Sequence, residues 1–223
     1  MKRQSGFTLI ELAIVLVIIG LLLGGVLKGQ ELINSAKVKN LASDFKNTQV
    51  YVYGYQDKYR SVPGDDHRAD TNVQGVPATD GTQNGVIEGD WLEPAATAES
   101  CVFWQHVRLA GLAAGPSAAE DIDCSNANTY MPRNAEGGVL GVQGVSDFNA
   151  AHGLTGADAL SGSFVVCSSQ VRGSFAKQLD TLLDDGNTAL GSVRSYDTQG
   201  EWATTASITG AQESAQYNVC MAF

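Results

Sequence analysis

Hydrophobic positions follow two distinct patterns in the first quarter of the chain. Residues 12–27 form an unbroken uncharged run of Leu, Ile, Val, Ala and Gly. Taken from residue 7, the apolar stretch reaches the roughly 20 residues that a bilayer's hydrocarbon core demands. After Lys28 the pattern becomes periodic. Val38, Leu41, Phe45, Thr48, Val52, Tyr55 and Tyr59 follow one another at spacings of three and four, the stripe of an amphipathic helix. Lys37, Lys39, Asp44, Lys46 and Asn47 occupy its other faces. The two patterns predict one continuous helix over about residues 8–59, roughly 75 Å at 1.5 Å per residue. Its first half is apolar all round, and its second half is expected to pack against a sheet.

The remaining chain is punctuated by turns. Ser61-Val62-Pro63-Gly64-Asp65-Asp66 is expected to stop the helix, because Pro cannot continue it and Pro-Gly marks a turn. Residues 70–89 read as a connecting loop. Residues 99–115 read as a short amphipathic helix ending at Gly115-Pro116, with Val102, Phe103, Val107, Leu109, Ala110 and Leu112 apolar. His106, one turn from Val102, is expected at its rim. Residues 116–161 are weakly patterned, with short strands expected at 138–144 and near Phe148. Residues 164–167 form the clearest strand. Residues 174–183 read as a helix with Phe175, Leu179, Leu182 and Leu183 on one face, stopped by Asp184-Asp185-Gly186. A closing strand is expected over 217–223. The expected class is α+β, a long N-terminal helix packed on an antiparallel sheet with long loops.

The N-terminus carries the sharpest motif. Lys2 and Arg3 precede Gly6-Phe7-Thr8-Leu9-Ile10-Glu11 and the apolar run. A secretory signal peptide places its small-residue cleavage site after the apolar core. Here that junction precedes the core, so cleavage there would keep the apolar segment. Lys-Arg-Gln-Ser-Gly-Phe-Thr-Leu-Ile-Glu resembles the class III signal of type IV prepilins and type II secretion pseudopilins. The resemblance implies cleavage between Gly6 and Phe7 by a prepilin peptidase and N-methylation of the Phe7 amine. It also implies that Glu11 neutralises the Phe7 amine of a neighbouring subunit during filament assembly. Physics agrees with that placing. A carboxylate is costly in hydrocarbon, and the positive end of a helix dipole is where an acid is favoured.

The same resemblance divides the chain into a leader (1–6), a transmembrane or filament-core helix (7–27), an amphipathic stem (28–60) and an extracytoplasmic pilin head (61–223). It implies a pilin fold, storage as a single-pass inner-membrane protein and release into an extracellular pilus. The implied partners are copies of itself, other pilins, the prepilin peptidase and an inner-membrane assembly platform. Tyr59-Arg60-Ser61-Val62-Pro63-Gly64-Asp65 is similar to the turn that follows the stem in a subgroup of these proteins. Residues 25–33 also resemble that subgroup, and Trp104 with Val107, Ala110, Gly111 and Leu112 matches it loosely. The Leu179–Gly186 segment, with Gly191-Ser192-Val193-Arg194, is similar to a segment of pilin-like C-terminal domains, without that segment's Lys. Many major pilins carry Pro where this chain has Lys28.

Charge is unevenly spread. The net −10 comprises −13 over residues 56–223, with 8 Lys and Arg against 21 Asp and Glu, +2 over residues 28–55, with four Lys against Glu31 and Asp44, and +1 over residues 1–27, with Lys2 and Arg3 against Glu11. An acidic head argues against nucleic acid as the main ligand. Two cations before the apolar run place residues 1–6 on the cytoplasmic side.

Cys101, Cys124, Cys167 and Cys220 follow the membrane segment and fit no zinc spacing. An even count in an exported domain reads as two disulfides, and the residues permit three pairings. Cys101–Cys124 and Cys167–Cys220 are favoured. The second would pin the C-terminal segment to the strand at 162–167, and C-terminal disulfides are frequent in the type IV pilins that the chain resembles.

Other candidate chemistry is thinner. Asp80, Thr82 and Asn84 stand at the early positions of a calcium loop, but Trp91 occupies the twelfth place, where a bidentate Glu is needed. An ordinary turn is the preferred reading, and no cofactor is implied. Tyr51, Tyr53, Tyr55 and Tyr59 are read as packing and subunit-contact residues rather than an electron path. His67, His106 and His152 are scattered, with no nucleophile or paired-carboxylate motif around them, and Asp65-Asp66 and Asp184-Asp185 read as turn acids. The chain is therefore expected not to be an enzyme. The leading expectation is a structural subunit of a type IV pilus; the alternative is a minor pilin or pseudopilin with a priming, adhesion or secretion role.

Overall fold

The computed structural model describes residues 8–79, 83–125, 129–197 and 208–223. Helix α1 runs over Leu9–Tyr59, matching the span that the two hydrophobic patterns predict. The chain divides into two compact units, Met1–Lys37 and Val38–Phe223, so the division falls inside α1. The reason is the change of pattern. Up to Ile33 the large apolar side chains of the first unit are exposed, whereas Val38, Leu41, Ala42, Phe45, Thr48, Val52 and Tyr55 are buried in the second. The second compact unit thus begins at Val38, within the helix.

In the second unit, strands β1 (Leu140–Gly144), β2 (Phe164–Arg172), β3 (Val193–Asp197) and β4 (Gln216–Ala222) form one antiparallel sheet in the order β1-β2-β4-β3. The expected closing strand therefore lies inside the sheet. The architecture is α+β with a pilin-like layout. Val38, Leu41, Phe45 and Val52 of α1 share one buried cluster with Val142, Val166 and Val219 of the sheet. Each large side chain buried in this way contributes roughly 1.5–3 kcal/mol.

Several elements differ from the expectations, each for a visible reason. Helix α1 ends at Tyr59 as expected, but the residue that turns the chain is Arg60 rather than Pro63. Arg60 turns into the left-handed region (φ 58°) and its N–H returns to the Gln56 carbonyl at 2.9 Å, a common way to end a helix. A short helix, α2 (Ala69–Asn72), interrupts the expected loop. Helix α3 (Glu99–Leu109) is buried on every side from Glu99 to Arg108 rather than amphipathic, and the chain turns at Gly111 (φ 78°). His106 is accordingly not at a rim but fully enclosed. Phe148 lies in a helix, α4 (Val145–Ala151), not in a strand.

Strand β2 runs five residues past Cys167, through a bulge where Gln170 has φ 57°. Helix α5 (Gly173–Leu183) buries Phe175, Ala176 and Leu179, but Leu182 is exposed. Disulfides join Cys101 on α3 to Cys124, and Cys167 to the directly paired Cys220 across β2 and β4.

Candidate assembly site

At the start of α1, Thr8 and Glu11 cap the helix reciprocally. The Glu11 carboxylate accepts the Thr8 backbone N–H at 2.8 Å and the Thr8 hydroxyl at 2.7 Å. The Thr8 hydroxyl oxygen in turn accepts the Glu11 N–H at 3.3 Å. The first four N–H groups of a helix have no partner within it, and the Thr-x-x-Glu spacing satisfies two of them. Both bonds to the carboxylate use one oxygen, Oε2, which leaves Oε1 without a bond among the described residues. The spacing Thr8-Leu9-Ile10-Glu11 is the sequence signal of this box, and it gives Glu11 a role within its own chain in addition to the expected intermolecular one. Gly6 and Phe7, the expected processing residues, lie outside the described residues.

Beyond the cap, α1 is long and apolar enough to cross a membrane, with an 18-residue window of mean hydropathy 2.8 and no residue of it buried. Leu9, Leu16 and Leu21 each expose more than two-thirds of their surface. An apolar surface on this scale is a feature of membrane or protein-contact segments. Gly20, Gly24 and Gly25 have nothing within 4 Å of where a Cβ would stand, so their space is open to a neighbouring helix.

In the head, α1 is tied to the turn after it by a buried polar network. The Tyr55 hydroxyl donates to Asp66 Oδ2 at 2.8 Å, Asn72 Nδ2 donates to the same oxygen at 2.7 Å, and the Arg68 N–H reaches Asp66 Oδ1 at 2.9 Å. Burial works to raise the Asp66 pKa, but these hydrogen bonds, with a smaller contribution from His106, hold it below the ordinary value. His106 stacks 6.0 Å from the Tyr55 ring. Its Nδ1 accepts the Gly64 N–H at 2.9 Å, and its Nε2 therefore donates to the Val76 carbonyl at 2.7 Å. Burial holds the imidazole neutral by lowering its pKa.

Asp65, also fully buried, accepts the Gly85 N–H at 2.6 Å. The two turn acids Asp65 and Asp66 are thus buried within their turn. What hid them was their turn-like neighbourhood, since burial is set by Tyr55, Asn72 and Gly85 at distant positions.

The remaining candidates are spread apart. Asn84 Oδ1 accepts the Val86 N–H at 2.8 Å and its Nδ2 donates to Glu88 at 2.7 Å; Asp80 and Thr82 lie outside the described residues. Among the described residues no group of three or more His, Cys, Asp or Glu is placed to hold a metal ion. His152 Nδ1 lies 2.9 Å from the Phe148 carbonyl and His67 Nε2 lies 3.8 Å from Asp65, so the three histidines serve three separate places. Tyr55 and Tyr59 pack ring to ring at 4.6 Å, and Tyr53 meets Phe223 at 5.9 Å.

Residues 1–27 match the family described as the prokaryotic N-terminal methylation motif. That match supports a type IV pilin-like prepilin, and it ends where the stem begins. No curated protein and no solved structure matches the chain.

Proposed function

We propose that this type IV pilin-like prepilin is a structural filament subunit, cleaved between Gly6 and Phe7, N-methylated on Phe7 and polymerised through its N-terminal helix. The observation that carries this reading is the fully exposed apolar half of α1, capped at its start by Thr8 and Glu11 and preceded by the matched methylation motif. In the membrane the segment is solvated by lipid. In a filament the same surface packs on copies of itself, and the open glycines permit close helix approach. Glu11 then has two tasks. One carboxylate oxygen holds the helix start, and the other meets the methylated amine of a neighbour, so that a costly charge in hydrocarbon is compensated. The acidic, disulfide-linked head faces outward. The chemistry of the subunit is assembly rather than catalysis.

The test is intact mass spectrometry of a sheared extracellular fraction and of membranes from the same cells. The expected major species begins at methylated Phe7 and is four protons lighter than the reduced chain. Abundance in the sheared fraction identifies a pilus subunit, whereas confinement to membranes identifies the minor pilin or pseudopilin role. A species that still begins at Met1, or is cut after the apolar run, would refute processing at Gly6. Glu11→Ala is expected to leave cleavage intact and to reduce filament yield; unchanged yield would remove the registration role.

A further inference from the structure

A cavity of about 200 Å³ lies where the stem part of α1 meets the head, walled by Asp44, Asn47 and Tyr51 on one side and by Trp104, Pro132 and Arg133 on the other. Asp44 is half-buried there, and its carboxylate makes no ion pair and no hydrogen bond among the described residues. Two donors beside the cavity bond to backbone carbonyls instead. The Thr48 hydroxyl donates to the Asp44 backbone carbonyl at 2.9 Å, and Arg133 Nη1 donates to the Gly137 carbonyl at 2.9 Å. The carboxylate is therefore partly desolvated with no protein partner, and burial raises its pKa to about 6. A charge so placed costs the isolated chain stability. Such a local conflict is expected where a residue serves a partner rather than the fold.

The group that would compensate it is a cation able to reach past aromatic walls. A lysine satisfies this with a slender apolar stem, which the Tyr51 and Trp104 side chains in the wall can cover, and a terminal ammonium. The chain itself carries suitable groups. Lys39 and Lys46 are exposed and form no ion pair among the described residues. They belong to the stem segment of residues 28–55, net +2, which is followed by 168 residues (56–223) that carry −13. Unlike charges on the stem and head favour copy-to-copy contact.

We propose that the Asp44 cavity docks a stem lysine, Lys39 or Lys46, of a second copy of this chain, the ammonium pairing with the Asp44 carboxylate between Tyr51 and Trp104. The inference rests on the filament-subunit reading above and adds to it a contact outside the apolar N-terminal segment.

The experiment places a photo-crosslinking amino acid at Asn47 of the full chain expressed in its host, and follows adducts and sheared filaments together. A self-adduct is expected. Asp44→Asn should lower it about tenfold, the effect of losing some 1.4 kcal/mol, while the melting temperature of the detergent-solubilised chain at neutral pH stays equal or rises. Asp44→Lys should abolish the adduct, and adding Lys39→Asp or Lys46→Asp should restore at least part of it.

Filaments whose self-adduct is indifferent to Asp44→Asn, an adduct to a different protein only, or failure of both reciprocal exchanges would overturn the docking while leaving the filament reading standing. A lowered melting temperature in Asp44→Asn would show that the carboxylate serves the fold, and would overturn it also. Absence of both filaments and self-adduct in the otherwise unaltered chain would overturn the filament reading, and the docking with it.

Discussion

The Nδ1 of His106 accepts the backbone N–H of Gly64, 42 residues earlier, at 2.9 Å inside the head. The bond requires the Nδ1 lone pair, so protonation of the ring removes it. The histidine pKa is lowered in the folded state. Its contribution to stability is therefore present above the unfolded value of about 6.5 and is lost as pH falls below it. The melting temperature should decline from pH 7 to pH 5, and His106→Leu should flatten that part of the profile. The same variant leaves the Gly64 N–H and the Val76 carbonyl unpaired, at about 1–3 kcal/mol each, which thermal denaturation at pH 8 would register.

Asp180 has the opposite dependence. It is fully buried at the end of α5, and Oδ1 accepts the Gly186 N–H at 2.6 Å. Burial, with repulsion from Asp184 and Asp185, pushes its pKa up to about 7 against the pull of the Gly186 and Asn187 amides. Stability linked to this group is present below its unfolded value near 4 and is lost as pH rises through about 7. Asp180→Asn keeps an acceptor for Gly186 and removes the charge. It should stabilise the chain on the order of 1 kcal/mol at pH 8 and by nothing measurable at pH 4. Paired melts at the two pH values check this.

Gly64 has φ 98°, and a Cβ there would stand 2.7 Å from the backbone carbonyl oxygen of Glu99. Strain in that region of φ costs on the order of 1–3 kcal/mol before any clash is counted. Gly64→Ala should thus destabilise the head by more than Gly111→Ala, whose added Cβ meets nothing within 4 Å. Chemical denaturation of both variants separates the steric contribution from the shared backbone one.

The two disulfides should differ in weight. Cys167–Cys220 closes a loop of 53 residues and Cys101–Cys124 one of 23. If constraint of the unfolded chain dominates, paired Cys→Ser replacement of the first should cost about 0.7 kcal/mol more than that of the second, each loss falling near 2–5 kcal/mol. Equal losses in equilibrium unfolding would indicate that strand pairing in the folded state dominates instead.

Legibility followed the range of the interactions. The apolar run and the stripe from Val38 to Tyr59 gave the extent of α1 because helix periodicity is local, whereas the cap formed by Thr8 and Glu11 went unread. Phe164 to Cys167 announced β2 through consecutive β-formers. By contrast, Val193–Asp197 has no alternation and becomes β3 only through its pairing with β4. His106, Asp65 and Asp66 look like surface residues in any local window. Their burial depends on Gly64, Gly85 and Tyr55 converging from separate segments. The Asp44 cavity was hidden for the same reason, since Trp104 and Pro132 lie more than fifty residues away.

Strand β4 sits between β2 and β3, and each of its flanks is hydrogen-bonded. For a chain that crosses a membrane from its N-terminus onward, every other strand of the head emerges before the one that joins them. The sheet is therefore assembled backwards from export, and β2 and β3 must wait as open edges until residues 216–222 arrive. During that interval the head is exposed to mispairing with other chains. On the proposed filament-subunit reading, the fate of the exported head would then be governed by how promptly residues 216–222 are delivered and Cys220 oxidised, a kinetic vulnerability distinct from the stability of the finished fold.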